Sequence, residues 1–244
     1  MARLLADGKG AVTIALAAVA GVALTSALGV WQLNRAGQKV ALQQMLDTRG
    51  SMPELPVASL ASTVATATAQ HFRRVRLQGQ WLPSATVFLD NRQMNGRPGF
   101  FVVTPFRLDG STEAVLVQRG WAPRDFTDRS RVPDVPSPAG SVELVGHIAP
   151  PPARLYEFAG SASGPIRQNL DLESYSRETG VPLKPLSVMQ DGAAADILLR
   201  EWPRPAVDVH KHYGYAFQWF ALSALMAGLY VWFQLIRPRL RRSP

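Results

Sequence analysis

The sequence predicts an integral membrane protein with one transmembrane helix near each end and a mainly antiparallel, α+β barrel or sandwich domain between them. Residues 11–30 and 213–236 carry no charged side chain, which predicts the two helices. Between them lie short segments of alternating apolar and polar residues separated by Gly and Pro, which predict the domain. The chain has 244 residues, no cysteine and a formal charge of +8. A domain of the size left between the runs buries well over half its unfolded surface and needs no disulfide or metal staple. Without thiols, disulfides, thiolate zinc sites, iron–sulfur clusters and cysteine nucleophiles are excluded.

Residues 1–10 are expected in the cytoplasm. The run AVTIALAAVAGVALTSALGV, residues 11–30, reaches about 30 Å as a helix, the thickness of bilayer hydrocarbon. A cleaved signal peptide competes with this reading, because Ser26 and Ala27 are small enough for a cleavage point. Against it, the apolar run is long and continues unbroken into NRAGQKVALQQMLDTRG, which can extend as an amphipathic helix. The run 213–236 has Tyr213, Tyr215 and Trp219 at one end and Tyr230 and Trp232 at the other, an aromatic belt at both interfaces.

Arg237, Arg239, Arg241 and Arg242 follow, so the basic tail 237–244 is expected in the cytoplasm by the positive-inside rule. Arg35 and Lys39 argue the other way and are outweighed. Both termini inside puts residues 31–212 across the membrane, in a bacterial periplasm or an equivalent space. Of the +8, the tail supplies four charges, and Arg3 and Lys9 against Asp7 one more, which leaves +3 for the domain. Its arginines alternate with Asp and Glu and form no basic stripe with interleaved aromatics, so no nucleic-acid partner is expected.

Residues 51–70, rich in Pro, Ser, Thr and Ala, read as loop or linker. Strands are expected in HFRRVRLQGQW, ATVFLDNR, GFFVVTPFRL, EAVLVQRGW and SVELVGHIA. Asn95, Gly96, Arg97, Pro98 and Gly99 read as a loop, Asp109 and Gly110 as a hairpin turn, and residues 133–140 as a longer connection. With almost no helix between strands, parallel βαβ topology is not expected. One helix interrupts them: Asp171 caps LESYSRET, and Gly180 with Pro182 closes it. LKPLSVMQ and ILLREW then read as strands.

No catalytic constellation is evident, and a non-enzyme is expected. Gly160 to Gly164 resembles a nucleophile elbow only superficially, since its central residue is Ala162. The segment His210-Lys211-His212 abuts the second run, where a histidine serves either as an interfacial anchor or as a haem ligand. Low-dielectric surroundings favour the neutral imidazole that binds haem iron, and Tyr215, Phe217 and Trp219 offer flat surfaces for a macrocycle. On one helix His210 and His212 point about 200° apart, which predicts one ligand per chain. Gln218 is costly in lipid and should face a helix, a cofactor or a partner subunit. His71 and His147 read as surface or core side chains at strand edges.

Gly29, Trp31, Gln32, Leu33 and Arg35 close the first run; Phe72, Arg74 and Val75 open the first strand. Asn91 and Arg92, then Gly96, Pro98, Gly99 and Phe100, then Arg119-Gly120-Trp121 follow. From His212 to Trp219 the chain matches the pattern His-x-x-Tyr-Ala-x-Gln-Trp. In this order and spacing the residues resemble the Surfeit locus protein 1 family. The resemblance implies a multi-pass assembly factor for haem-a-containing cytochrome c oxidase in a bacterial plasma membrane. It implies transient binding of haem a, with His212 as axial ligand to the iron and Tyr215, Gln218 and Trp219 beside it. Delivery to oxidase subunit I follows, and haem a synthase and membrane lipid are further implied partners.

Arg92, Arg119 and Trp121 are candidates for lining the domain's functional face, and the two arginines for pairing haem propionates. A structural ion pair within the sheet is the competing reading for both arginines. The alternative function is a scaffold that stabilises oxidase assembly intermediates without binding haem. Only ten mostly small or apolar residues precede the first run, which leaves no organelle transit peptide and points to a bacterial member.

Overall fold

A computed structural model of the chain describes residues 8–128, 130–156, 164–192, 197–202 and 209–240. Most of the N-terminal segment, the end of the basic tail with Arg241 and Arg242, and four of the five residues of the Gly160 to Gly164 loop lie outside the described residues. The chain divides into two compact units, Met1–Met45 with Pro205–Pro244, and Leu46–Arg204.

Helix α1 (Gly8–Ser51) has 44 residues, about 66 Å at the α-helical rise, so it continues well past the stretch a bilayer needs. The polar sequence after residue 30 is therefore part of the same helix. Its last turn is tied down by Arg49, which donates to Thr68 O at 3.4 Å and His71 O at 3.2 Å.

The segment expected as a loop holds a 3₁₀ turn (Val57–Ser59) and a second helix, α2 (Val64–Gln70). Thr63 is the reason. Its Oγ1 accepts from the Thr66 N–H, and Thr66 Oγ1 accepts from the Thr63 N–H, both at 3.3 Å. This is a reciprocal cap in which Thr replaces the usual Glu or Gln, and a search for acidic or amide partners passes over it.

Among the described residues seven strands follow: β1 (Arg74–Trp81), β2 (Val87–Met94), β3 (Arg97–Leu108), β4 (Ala114–Pro123), β5 (Val142–Ala149), β6 (Ile166–Arg167) and β7 (Leu183–Gln190). Helix α3 (Leu172–Thr179) lies between the last two, and α4 (Val209–Tyr230) runs through a π turn (Val231–Ile236) into α5 (Arg237–Leu240). The sheet order is β1-β5-β7-β4-β3-β2-β6, and β1 also pairs with β3 from Gly79↔Leu108 to Trp81↔Phe106. That pairing closes β1, β5, β7, β4 and β3 into a barrel, which decides between the two architectures left open by the sequence. Strand length makes closure feasible: the 12 residues of β3 serve β2 near one end and β1 near the other.

Most pairings are antiparallel, but β4–β7 and β2–β6 are parallel. The chain reaches β7 only after β5, β6 and α3, an excursion long enough to realign a strand parallel to β4. ILLREW is not a strand; Leu199 alone bridges Trp121. Asn95 and Gly96, at φ 52° and 73°, form a two-residue turn of the kind that matches strand twist. Arg97, Pro98 and Gly99 thus belong to β3, contrary to the loop expected there. Helix α3 starts at Asp171, whose carboxylate accepts from the Ser174 N–H at 3.0 Å, and stops at Gly180 in the left-handed region.

Strict alternation along β1 turns Val75, Leu77 and Trp81 inward, where they meet Phe106, Val117, Ile148 and Val188. β4 is buried at every position before Pro123. Its other face supplies Leu116 to a second cluster with Val103, Leu170 and Tyr175 of α3.

Candidate functional site

In the helical unit α1 and α4 pack through small residues. A Cβ on Gly29 would lie 2.8 Å from the Phe220 ring, and one on Gly21 3.1 Å from Met226 Sδ. Between these points Ser26 Oγ and Ser223 Oγ hydrogen-bond at 2.9 Å, and Ser223 Oγ also donates to Val22 O at 3.3 Å. Residue numbers rise on one helix as they fall on the other, so the pair is antiparallel. In a bilayer lipid tails would compete equally for apolar surface, and close approach and hydroxyl contacts would be what holds two such helices together. Both helices are long and apolar enough to cross a membrane. Their outward faces, with Leu16, Val19, Leu24, Phe217 and Leu225 all more than half exposed, are apolar.

Continuing along the same seam, His212 Nδ1 lies 2.7 Å from Gln32 Oε1. Both side chains are half-buried. The amide oxygen can only accept, so Nδ1 is the donor in this contact, and in the neutral ring the lone pair then falls on Nε2, across the ring. At 100° per residue Tyr215 and Trp219 lie within about 60° of His212 around α4, whereas Gln218 is about 120° away. Tyr215 is 52% exposed, Trp219 half-buried and Gln218 exposed. Tyr215 and Trp219 therefore share a face with His212, while Gln218 lies off that face. His210 is exposed, on the side of α4 away from His212.

Sequence patterns mark Gln32 as part of a family signature and give it no partner. The signal was there: Gln32 lies two residues beyond the first apolar run and His212 one residue before the second, so a hairpin of the two brings them level.

Arg92, Arg119 and Trp121 lie in the other unit, in its interior. A bulge in β2 between Leu89 and Arg92, with Asn91 at φ 58°, turns the Arg92 side chain in. Arg92 Nη1 donates to Ala153 O at 2.7 Å and Nη2 to Gln168 O at 2.8 Å, and burial pushes its pKa down. Arg119 donates to Ser137 Oγ and Pro136 O, both at 2.8 Å, and stacks over Trp81 at 4.5 Å. Trp121 is fully buried, and its Nε1 donates to Arg92 O at 2.9 Å. Gly99 makes room for it, since a Cβ there would lie 2.5 Å from the indole. Arg92 and Arg119 thus tie the segments at Ala153, Gln168 and Pro136–Ser137 to β2 and β4, and Trp121 ties β4 to β2. The sequence places the three on a functional face or, for the arginines, in an ion pair within the sheet; the structure buries their side chains inside this unit.

The remaining histidines serve the domain. His147 Nδ1 lies 2.9 Å from Asp191 Oδ1, and burial first, then Arg49, pushes the His71 pKa down. A cleft of about 720 Å³ between α2, α3 and β7 is lined by His71, Arg154, Leu172 and Arg177 among others, and by none of the site residues expected from sequence.

Comparison with known proteins bears on both units. The profile of the SURF1 family matches residues 19–224, which takes in the barrel, Gln32 and His212. A SURF1-like protein of Rickettsia bellii is 27% identical over 216 residues, covering 83% of each chain. The cytochrome oxidase assembly protein SHY1 of Saccharomyces cerevisiae is 33% identical over 94 residues, 38% of this chain and 24% of that protein. Surfeit locus protein 1 of Arabidopsis thaliana is 30% identical over 118 residues, 45% of this chain and 33% of that one. With the match running from within the first apolar helix into the second, through every strand of the barrel, the chain belongs to the SURF1 family.

Proposed function

We propose that this protein is an assembly factor for haem-a-containing cytochrome c oxidase, which holds haem a at His212 and assists its delivery to oxidase subunit I. The observation that carries the reading is the half-buried imidazole at the start of an apolar helix, with Nδ1 engaged by Gln32 and the Nε2 lone pair left for a metal. Among the described residues no three His, Asp or Glu side chains converge as a bare metal ion requires. A haem brings four nitrogens of its own and asks the protein for an axial donor and a flat apolar wall. His212, Tyr215 and Trp219 fit that demand. The name of the yeast relative, an oxidase assembly protein, supports the same process.

When bound, the haem supplies an iron centre destined for the oxidase. The chain's own residues bind and present it. His212 offers one nitrogen, which is strong enough to hold the iron and weak enough to yield it to an acceptor offering two. Tyr215 and Trp219 shield the macrocycle, and the exposed Gln218 faces lipid or a partner subunit. Both helices span the membrane in this reading, with both termini cytoplasmic and the barrel in the periplasm of a bacterium. Haem a synthase upstream and subunit I downstream are the partners. No group acts as a catalyst.

The test is genetic and chemical together. In a bacterium lacking its own copy, the wild-type chain should restore haem a to subunit I, and His212→Ala should leave subunit I in the membrane depleted of haem a. Full restoration by His212→Ala would replace the carrier with a scaffold that never touches haem.

A further inference from the structure

We infer that Gln32 is a positioning residue for the haem ligand: its side-chain carbonyl holds His212 in the Nδ1–H tautomer and so commits Nε2 as the atom that binds iron. The inference rests on the haem-binding reading above and adds to it a residue from the other helix.

Three observations carry it. The contact is short, 2.7 Å between Gln32 Oε1 and His212 Nδ1, and joins positions 180 residues apart. It is set by packing, because the seam through Gly21 and Met226, Ser26 and Ser223, and Gly29 and Phe220 fixes the level at which Gln32 meets α4. The tautomer it selects is also the minor one for a free histidine side chain, which prefers its proton on Nε2. Without Gln32 the ring would keep its proton on the nitrogen that faces away from α1, and iron binding would first require a proton shift.

The chemical type of the partner matters as well. Metal-binding histidines commonly donate their second N–H to a carboxylate, which raises ligand basicity and tightens the bond. Here the acceptor is a neutral amide. It orients the ring without lending it negative charge, and a carboxylate at an apolar boundary would itself be costly. An amide-backed imidazole is a ligand for temporary holding, as a delivery protein requires.

The test uses the full chain in detergent micelles with ¹⁵N-labelled histidine. Ring-nitrogen shifts of His212, assigned by their loss in His212→Ala, should show Nδ1 protonated in the haem-free wild type and a mixture or reversal in Gln32→Leu. A wild-type His212 protonated on Nε2 overturns the inference. Titration with haem a should then show affinity reduced about 10-fold or more in Gln32→Leu. Gln32→Glu should keep or tighten binding and raise the iron–histidine stretching frequency. Equal haem affinity and stretching frequency in wild type and Gln32→Leu removes the positioning role and leaves haem binding intact. A wild type that takes up no haem a overturns the ligand reading itself, and with it the iron-binding part of this inference.

Discussion

Two ring side chains, His212 and Tyr175, each hydrogen-bond to an oxygen, and their surroundings give those bonds different consequences. His212 is half-buried, with Nδ1 engaged by Gln32 and Nε2 without a hydrogen-bond partner among the described residues. Exchanging His212 for Ala is expected to abolish haem a binding, and His210→Ala to leave it nearly unchanged. Equal losses in a haem titration would contradict the single-ligand geometry. Tyr175 is buried, donates to Ala85 O, and has its pKa pushed up to about 12 by burial. An unfolded tyrosine ionises near pH 10 and the folded one near 12, so stability is intact below pH 10 and is lost as pH rises from 10 to 12. Denaturant midpoints should fall across that window in the wild type and less steeply in Tyr175→Phe, which should cost about 1 kcal/mol at neutral pH. The sequence speaks unevenly about such residues. The place of His212 beside an apolar run is legible, whereas its pairing with Gln32 on a distant helix is not. The burial of Arg92 is not legible, because a bulge that turns a side chain inward cannot be read from a strand pattern.

Elements are legible where one physical signal dominates. The alternation in β1, the uncharged runs of α1 and α4, and the Asp171 and Gly180 caps of α3 each have a single cause, and each lies where the sequence puts it. α2 is hidden because its signal is a threonine pair in a stretch of small polar residues. Thr63→Ala should therefore cost about 1 kcal/mol in a chemical unfolding curve, whereas a mere linker would show no change. Packing between elements is legible least of all. The Gly29 to Phe220 contact depends on which faces of two distant helices meet. Replacing Gly29 with Leu should force α1 and α4 apart and weaken haem a binding along with it, while far-ultraviolet circular dichroism keeps its helical signal. Unchanged haem affinity in Gly29→Leu would detach the site from the helix seam.

At the scale of the whole molecule, barrel closure could not be read from the chain because it depends on β1–β3 register, a pairing of strands that are not neighbours in sequence. Parallel pairing of β4 with β7 escaped for the same reason. Membrane topology rests on charges flanking the apolar runs. A reporter after Pro244 should read cytoplasmic, and one inserted in the β4–β5 connection periplasmic, with the orientation mixed once the tail arginines become Glu. A cytoplasmic β4–β5 insertion in the wild type would invert the proposed arrangement. The most direct single measurement is the visible absorption spectrum of the detergent-solubilised protein purified from cells that make haem a. A Soret band in the wild type that is lost in His212→Ala is the predicted result. A wild type without the band, or a His212→Ala protein that keeps it, contradicts haem a binding at this histidine.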